Sequence, residues 1–192
     1  MKKTAAFILR CFGWRVDSFT PSERKYVLIV APHTSNWDFV IGRLAFWTKS
    51  LPARFMIKKE FFRFPVGGLL KALGGLPVER GTGGGRAVEE AVRLLQTHDA
   101  MALILTPEGT RRRNPHWKKG FYYIAQAAQI PLYVGYVDYK KKECRIVGRM
   151  PVTGDLAADS RYLLEAYADV TARYPAQFAL PEWRGGAEKR KP

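Results

Sequence analysis

The chain has 192 residues, enough for one domain with a sizeable core, and 47% of them are hydrophobic, which excludes a disordered chain. Its net charge of +15 calls for an anionic partner, such as nucleic acid, an anionic membrane surface, or an acidic carrier or substrate. The two cysteines, Cys11 and Cys144, are isolated and form no metal-binding or redox motif, so we expect reduced thiols in a cytosolic setting.

Residues 1–16 predict an amphipathic helix. No stretch of the sequence approaches the ~20 apolar residues of a membrane span, and Arg10 and Arg15 interrupt the apolar run that a signal peptide would need. On a helix Lys3 and Arg10 lie on one side, and the other side carries Phe7, Ile8, Cys11 and Phe12, with Trp14 at its edge. Two interpretations stay open: the helix lies in a membrane interface, or it packs on the domain.

Apolar runs alternate with helical periodicity along residues 20–180. The predicted strands are Lys25–Ala31, Ala53–Lys58, Leu76–Glu79, Met101–Leu105, Pro131–Val137 and Cys144–Val147. The predicted helices are Asn36–Thr48, one that starts at Pro65, Arg86–Thr97, Gly120–Gln129 and Ala157–Tyr174. This alternation predicts a single α/β domain with a largely parallel sheet flanked by helices, and it allows an antiparallel edge at the final strand pair. Residues 185–192 are small and charged, and we expect a disordered tail there.

The stretch Tyr26–Asp38 places His33 and Asp38 on either side of a polar turn between a buried strand and a helix. If His33 closes the strand and Asp38 opens the helix, the turn can bring the two side chains together. A carboxylate beside an imidazole fixes its tautomer and stabilises the imidazolium, which makes a general base for a hydroxyl or thiol. The alternative is that Ser35 and Asp38 form a capping box and His33 is an ordinary loop residue.

A second polar cluster, Thr106–Arg111, follows the predicted strand Met101–Leu105. Sites in open α/β sheets lie beyond the carboxyl ends of the strands, so Glu108 and His33 can share one rim. The guanidinium of Arg111 matches a phosphate, and Thr110 and the backbone N–H groups near Gly109 can add donors. The alternative is a solvated loop with a glycine turn.

Two further cations, Lys58 and Arg80, each lie next to a predicted strand end, where they could supply additional phosphate contacts. For a single surface cation the alternative is solubility alone. The loop Gly81–Gly85 matches neither a P-loop nor a dinucleotide fingerprint, and we expect a flexible connector.

Four blocks in order resemble the glycerolipid acyltransferase family, typified by the 1-acylglycerol-3-phosphate (lysophosphatidic acid) acyltransferases. The blocks are the HX4D motif His33-x-x-x-x-Asp38; Lys58 to Arg80 with Glu60-Phe61, Pro65, Gly67 and Gly75; Pro107-Glu108-Gly109-Thr110-Arg111; and Ile130-Pro131-Leu132. The first block is a weak signal alone and a strong one with the third block downstream of it. The chain departs from the usual family pattern at Thr106, Pro77, Trp37 and Tyr133-Val134, which bears on the acceptor.

The resemblance implies that His33, oriented by Asp38, deprotonates the hydroxyl of a lysophospholipid, which attacks the thioester of acyl-CoA or acyl carrier protein. The product would be phosphatidic acid, formed without an acyl-enzyme. It further implies an acceptor-phosphate site made of Glu108, Gly109, Thr110, Arg111, Arg80 and Lys58. No metal and no bound cofactor are expected.

In this interpretation residues 20–180 are the acyltransferase domain of a peripheral enzyme of phospholipid biosynthesis on the cytoplasmic face of an anionic membrane, with no nucleic-acid partner. Two other hypotheses stay open. One is an acyltransferase for another hydroxylated lipid, such as an acyl-ornithine type molecule. The other is a basic module that binds nucleic acid or anionic membrane without chemistry.

Overall fold

The apolar run Lys25–Ala31 forms the central strand β2 of a mostly parallel sheet in the computed structural model, which describes residues 1–78 and 84–182. The other strands are β1 (Arg15–Val16), β3 (Ala53–Lys58), β4 (Gly75–Val78), β5 (Met101–Leu105), β6 (Leu132–Asp138) and β7 (Glu143–Met150). Within the described residues the seven strands run in the order β1-β7-β6-β2-β5-β3-β4.

Neighbouring strands are parallel except for β6 and β7, which are antiparallel. This confirms the predicted single-domain α/β fold with a largely parallel sheet and an antiparallel strand pair toward one edge.

Helices cover both faces of the sheet. They are α1 (Lys2–Cys11), α2 (Asn36–Lys49), α3 (Val66–Ala72), α4 (Gly84–Thr97), α5 (Gly120–Ala128), α6 (Leu156–Asp159) and α7 (Arg161–Tyr167), with 3₁₀ turns at Lys59–Phe61 and Pro175–Gln177. Alternate side chains of β2 point to opposite faces, so Val27 and Ile29 pack with α4, α5 and α7, while Tyr26 and Leu28 pack on the α2 side. Both faces of β2 are therefore buried, as its continuous apolar run predicts.

The N-terminal helix is shorter than the predicted residues 1–16. It ends at Cys11, Gly13 adopts a left-handed φ of +75°, and the chain continues into β1 against β7. A left-handed glycine just past a helix end is the usual way to stop it. The helix packs on the domain through Ala5 and Leu9, and it leaves Phe7 and Phe12 exposed.

The predicted last helix, Ala157–Tyr174, is wrong in extent. The segment forms the short helices α6 and α7 and then becomes irregular after Tyr167. Beyond that point the backbone bonds to distant partners: the carbonyl of Thr171 accepts from the Tyr139 N–H (2.9 Å). These long-range contacts replace the helical hydrogen bonds that a local pattern predicts.

The strands Lys25–Ala31, Ala53–Lys58 and Met101–Leu105 have their predicted bounds, and the other elements differ from prediction by a few residues at one or both ends. β4 starts one residue earlier than predicted, and its predicted last residue, Glu79, lies outside the described residues. β7 extends to Met150 rather than Val147. Gly84 and Gly85 begin α4 instead of forming a loop. Arg80, the rest of the predicted glycine loop and the predicted tail at 185–192 lie outside the described residues.

Every helix within residues 1–78 and 84–182 is too short or too polar to cross a lipid bilayer.

Candidate active site

His33 lies in the turn that joins the carboxyl end of β2 to α2, and Asp38 lies in the first turn of that helix. Nδ1 of His33 is 3.5 Å from Oδ2 of Asp38. His33 is partly exposed and lines a cavity, whereas Asp38 is almost fully buried. The turn thus brings together the two side chains that a continuous helix would have separated.

The capping box at the start of α2 is also present. Oγ of Ser35 accepts from the Trp37 N–H (3.1 Å), and Oδ2 of Asp38 accepts from the backbone N–H groups of Thr34 (2.7 Å) and Ser35 (2.8 Å). The two interpretations of this sequence are therefore compatible in the structure. The carboxylate that caps the helix is the one that adjoins His33.

The Asp38 carboxylate has a further donor that the sequence analysis missed. The phenol of Tyr139, in the turn after β6, donates to Oδ1 of Asp38 (2.7 Å) and stands edge-on to Trp14, 5.1 Å between ring centres. Burial opposes ionisation of Asp38, but hydrogen bonds from His33, Tyr139 and the two backbone N–H groups outweigh it and lower its pKa. One signal could have found Tyr139: it follows a predicted parallel strand, as His33 and Glu108 do.

Glu108 lies beneath the His33 turn. β5 is the parallel neighbour of β2, and the buried carboxylate of Glu108 accepts from the backbone N–H of His33 (2.6 Å). Burial, with a smaller contribution from the charge of Asp38, raises the pKa of Glu108 to about 7, against the hydrogen bond from the His33 N–H. Glu108 therefore contacts the main chain that carries His33.

The residues after Glu108 turn outward to the cavity. Gly109 has a φ of +68°, and a Cβ there would come within 3.1 Å of the Lys118 side chain, so the turn favours glycine. Gly109, Thr110, Arg111, Lys118 and Lys119 line the same cavity as His33. The guanidinium of Arg111 donates to the side-chain oxygen of Asn36, the first residue of α2.

Lys58 stands apart from this group. It is exposed at the end of β3, and among the described residues it is Ile57, its neighbour, that lines the cavity. Arg80 lies outside the described residues. The structure therefore brings together His33, Asp38, Glu108, Gly109, Thr110 and Arg111 from the sequence-predicted set.

The cavity has a volume of about 1360 Å³ and mixed chemistry. Its polar end carries His33, Arg111, Lys118 and Lys119. Apolar side chains line the rest, with Val30, Phe39, Phe46, Phe55 and Ile104 on the α2 face of the sheet and Met56, Val88, Leu105, Phe121 and Ile124 on the α4–α5 face. Such a cavity suits a ligand with an anionic head and long apolar chains.

A C-terminal segment, Thr171–Gln177, forms hydrogen bonds with both turns of the site, the one that contains His33 and the one that contains Arg111. The Tyr174 N–H donates to Oγ1 of Thr34 (3.3 Å). The Gln177 amide, oriented as its neighbours require, donates to the carbonyls of Arg111 (2.8 Å) and Thr34 (3.1 Å). This connection between the His33 and Arg111 turns was not expected from the sequence.

Residues 16–136 match the family model described as Acyltransferase, which is well over half of the chain. The chain belongs to the glycerolipid acyltransferase family. This family includes the lysophosphatidic acid acyltransferases. No curated protein matches the chain closely.

Membership identifies the chain as an acyltransferase and disfavours a binding module without chemistry. In this acyltransferase the matched region contains His33, Asp38 and the Glu108–Arg111 turn. Tyr139 and Gln177, which contact those residues, lie beyond it.

Proposed function

We propose that this acyltransferase transfers a fatty acyl group from acyl-CoA or an acyl carrier protein thioester to the hydroxyl of a lysophospholipid such as 1-acylglycerol 3-phosphate, giving phosphatidic acid. The observation that carries the proposal is the shared cavity, in which His33, backed by Asp38, and Arg111 lie at the same polar end.

The proposed mechanism needs one base and no protein nucleophile. Because Nδ1 of His33 faces Asp38, Nε2 is the nitrogen left for substrate, and it takes the proton of the acceptor hydroxyl. The resulting oxygen attacks the thioester carbonyl, the new C–O bond forms, and the C–S bond breaks. The thiolate leaves with the proton from the imidazolium, so His33 returns to its starting state.

The acceptor's phosphate would lie among the cations at the polar end. Arg111 offers a planar fork for two phosphate oxygens, with Thr110 and the Gly109 turn beside it. We propose that Glu108 positions the His33 turn rather than contacting the phosphate, because its carboxylate already accepts from the backbone N–H of His33. Lys58 and Arg80 remain proposed phosphate contacts on the sequence alone.

The apolar lining supports a lipid substrate rather than a small polar one. Two apolar walls, one on each face of the sheet, adjoin the same polar end, so one wall could take the donor's chain and the other the acceptor's. We further propose that the protein works peripherally on the cytoplasmic face of an anionic membrane, which its charge of +15 favours. No metal or bound cofactor enters this mechanism.

The direct test is to incubate the purified protein with lysophosphatidic acid and either thioester donor, and to identify the product by mass. We expect phosphatidic acid, and the donor that yields it settles donor identity. Acylation of an acyl-ornithine type acceptor in place of lysophosphatidic acid would move the proposal to that substrate. Steeply salt-dependent nucleic-acid binding without turnover would contradict it.

Arg111→Ala should raise the KM for lysophosphatidic acid, because the phosphate loses its planar partner. If that contact tightens in the transition state, kcat should fall as well. Arg112→Ala is the matched control, since Arg112 is an exposed neighbour that is not among the described residues lining the cavity. An unchanged KM and kcat in Arg111→Ala would remove Arg111 from the phosphate site.

A further inference from the structure

The segment between β3 and β4 exposes an unusual amount of apolar surface. Phe61 is 61% exposed, Phe64 99%, Val66 51% and Leu69 61%, all within nine residues. Single exposed apolar side chains are common on soluble proteins, but a cluster of this kind marks a contact surface. We call residues 58–71 the phenylalanine segment.

Cations alternate with these apolar side chains. The segment carries four exposed cations and one acid, Glu60; the cations are Lys58, Lys59, Arg63 and Lys71. Projecting aromatic rings among basic residues suit the boundary between acyl chains and anionic headgroups, where the rings enter and the cations stay at the headgroups.

The phenylalanine segment lies at the rim that carries the candidate site. It begins at the carboxyl end of β3, which is parallel to β5, which in turn is parallel to β2. Met56 and Ile57, just before the segment, line the cavity. A surface that the segment enters would therefore adjoin the apolar part of that cavity.

A second group of exposed apolar side chains lies toward the β1 edge of the sheet, whereas the phenylalanine segment adjoins β3 and β4. His33, at the end of β2, lies between the two groups. Phe7 and Phe12 of the N-terminal segment are 67% and 68% exposed. The carbonyl of Phe12 accepts from Nζ of Lys142 (3.1 Å), in the turn after β6. Since β6 is parallel to β2, that turn lies at the same rim.

We propose that this rim is the face with which the protein contacts an anionic phospholipid bilayer, and that Phe61 and Phe64 are the side chains that insert. Phe64 touches almost nothing in its own chain, and a projecting ring needs no complementary pocket in lipid, whereas a protein partner would have to supply one. The inference deepens the proposed function, because insertion here would bring the cavity to the layer that holds lysophospholipid.

The test is sedimentation of the purified protein with vesicles of phosphatidylglycerol and phosphatidylcholine, without substrate. Phe61→Ser/Phe64→Ser should bind about tenfold more weakly or worse. Val147→Ser/Leu164→Ser, which removes two exposed apolar side chains from β7 and α7, should bind like the unaltered protein. Leu69→Ser is a milder second variant, and thermal melts check that each variant is folded.

Equal vesicle binding by the folded Phe61→Ser/Phe64→Ser variant would overturn the inference. So would loss of self-association, or loss of carrier-protein binding, in that variant while its vesicle binding is unchanged, because the segment would then serve a protein. The test is separate from catalysis. Vesicle binding through the segment by a protein that acylates no lipid would refute the proposed function and leave this inference standing.

Discussion

Besides His33, three hydrogen-bond donors hold the Asp38 carboxylate: the backbone N–H groups of Thr34 and Ser35 and the phenol of Tyr139. The backbone donors come with the turn itself, so any sequence that forms this turn supplies them. The phenol comes from a residue 101 positions away. Local sequence could predict His33 and Asp38 as a pair, whereas the donor to Oδ1 of Asp38 could be sought only through the sheet topology, because Tyr139 follows a different strand.

Tyr139→Phe should lower kcat by about tenfold with little change in KM, because Asp38 then holds the His33 imidazole less firmly. Loss of the phenol should raise the pKa of Asp38 from its lowered value. Stability from a carboxyl with a lowered pKa is present above its unfolded pKa and is lost as pH falls through the folded pKa. Acid unfolding of Tyr139→Phe should therefore begin at a higher pH.

The matched control for this change is Tyr136→Phe. Tyr136 lies in β6, three residues before Tyr139, and its phenol also donates to a carboxylate, that of Glu143 (3.1 Å). Its kcat should stay near that of the unaltered protein. Equal effects of the two substitutions on kcat would mean that the Tyr139 phenol has no particular role at Asp38.

The raised pKa of Glu108 predicts that stability falls as pH rises, which is opposite in sign to the effect of Asp38. Its pKa rises from 4.5 to about 7 on folding, so the stability it contributes is present below 4.5 and is lost as pH rises to about 7. Glu108→Gln cannot ionise. Between pH 5 and 8 the unaltered protein should therefore lose stability relative to Glu108→Gln, by up to about 3 kcal/mol.

Denaturant unfolding of both proteins across that range measures this difference. Glu165→Gln serves as the control, because Glu165 is an exposed carboxyl on α7 that is not among the described residues lining the cavity. A stability difference between Glu108→Gln and the unaltered protein that stays constant with pH would show that Glu108 does not change its protonation in this range.

At the scale of elements, the first turn of α2 caps the helix and also holds Asp38 beside His33. Substitutions at Ser35 and at Asp38 separate these two roles. Ser35→Ala removes the side-chain cap and should cost about 1 kcal/mol of stability. It keeps the Ser35 N–H, so Asp38 stays in place and kcat should change by less than about twofold. Asp38→Ala should lower stability and also reduce kcat by about 10²-fold or more.

Chemical denaturation and steady-state kinetics on the two variants distinguish the capping box from a catalytic pair. If Asp38→Ala loses stability and keeps its kcat, the carboxylate is a cap and nothing more.

The elements that could be predicted are those with a strong local pattern. The strands Lys25–Ala31, Ala53–Lys58 and Met101–Leu105 were predicted with their observed bounds, because each is a short apolar run between breakers. The predicted extent of the last helix, Ala157–Tyr174, was wrong because residues after Tyr167 form hydrogen bonds with Tyr139 and Thr34, which are distant in sequence. Periodicity carries no information about such partners.

At the scale of the whole molecule, the fold class followed from the alternation of strands and helices, and the rule for parallel strands predicted the rim on which the candidate site residues His33 and Glu108 lie. The extent of the cavity did not, since its apolar lining comes from both faces of the sheet, from the strands β2, β3 and β5 and the helices α2, α4 and α5. The Gln177 bridge between the two site turns could not be predicted either, because it depends on where an irregular segment lies.

The central claim is that His33 is the base for acyl transfer within the cavity that Arg111 lines. The most direct measurement is the kcat of purified His33→Ala for transfer from a thioester to lysophosphatidic acid, with the product identified by mass and folding checked by circular dichroism. We predict a fall of about 10²–10⁴ in kcat with the fold intact. Turnover equal to that of the unaltered protein would contradict the account.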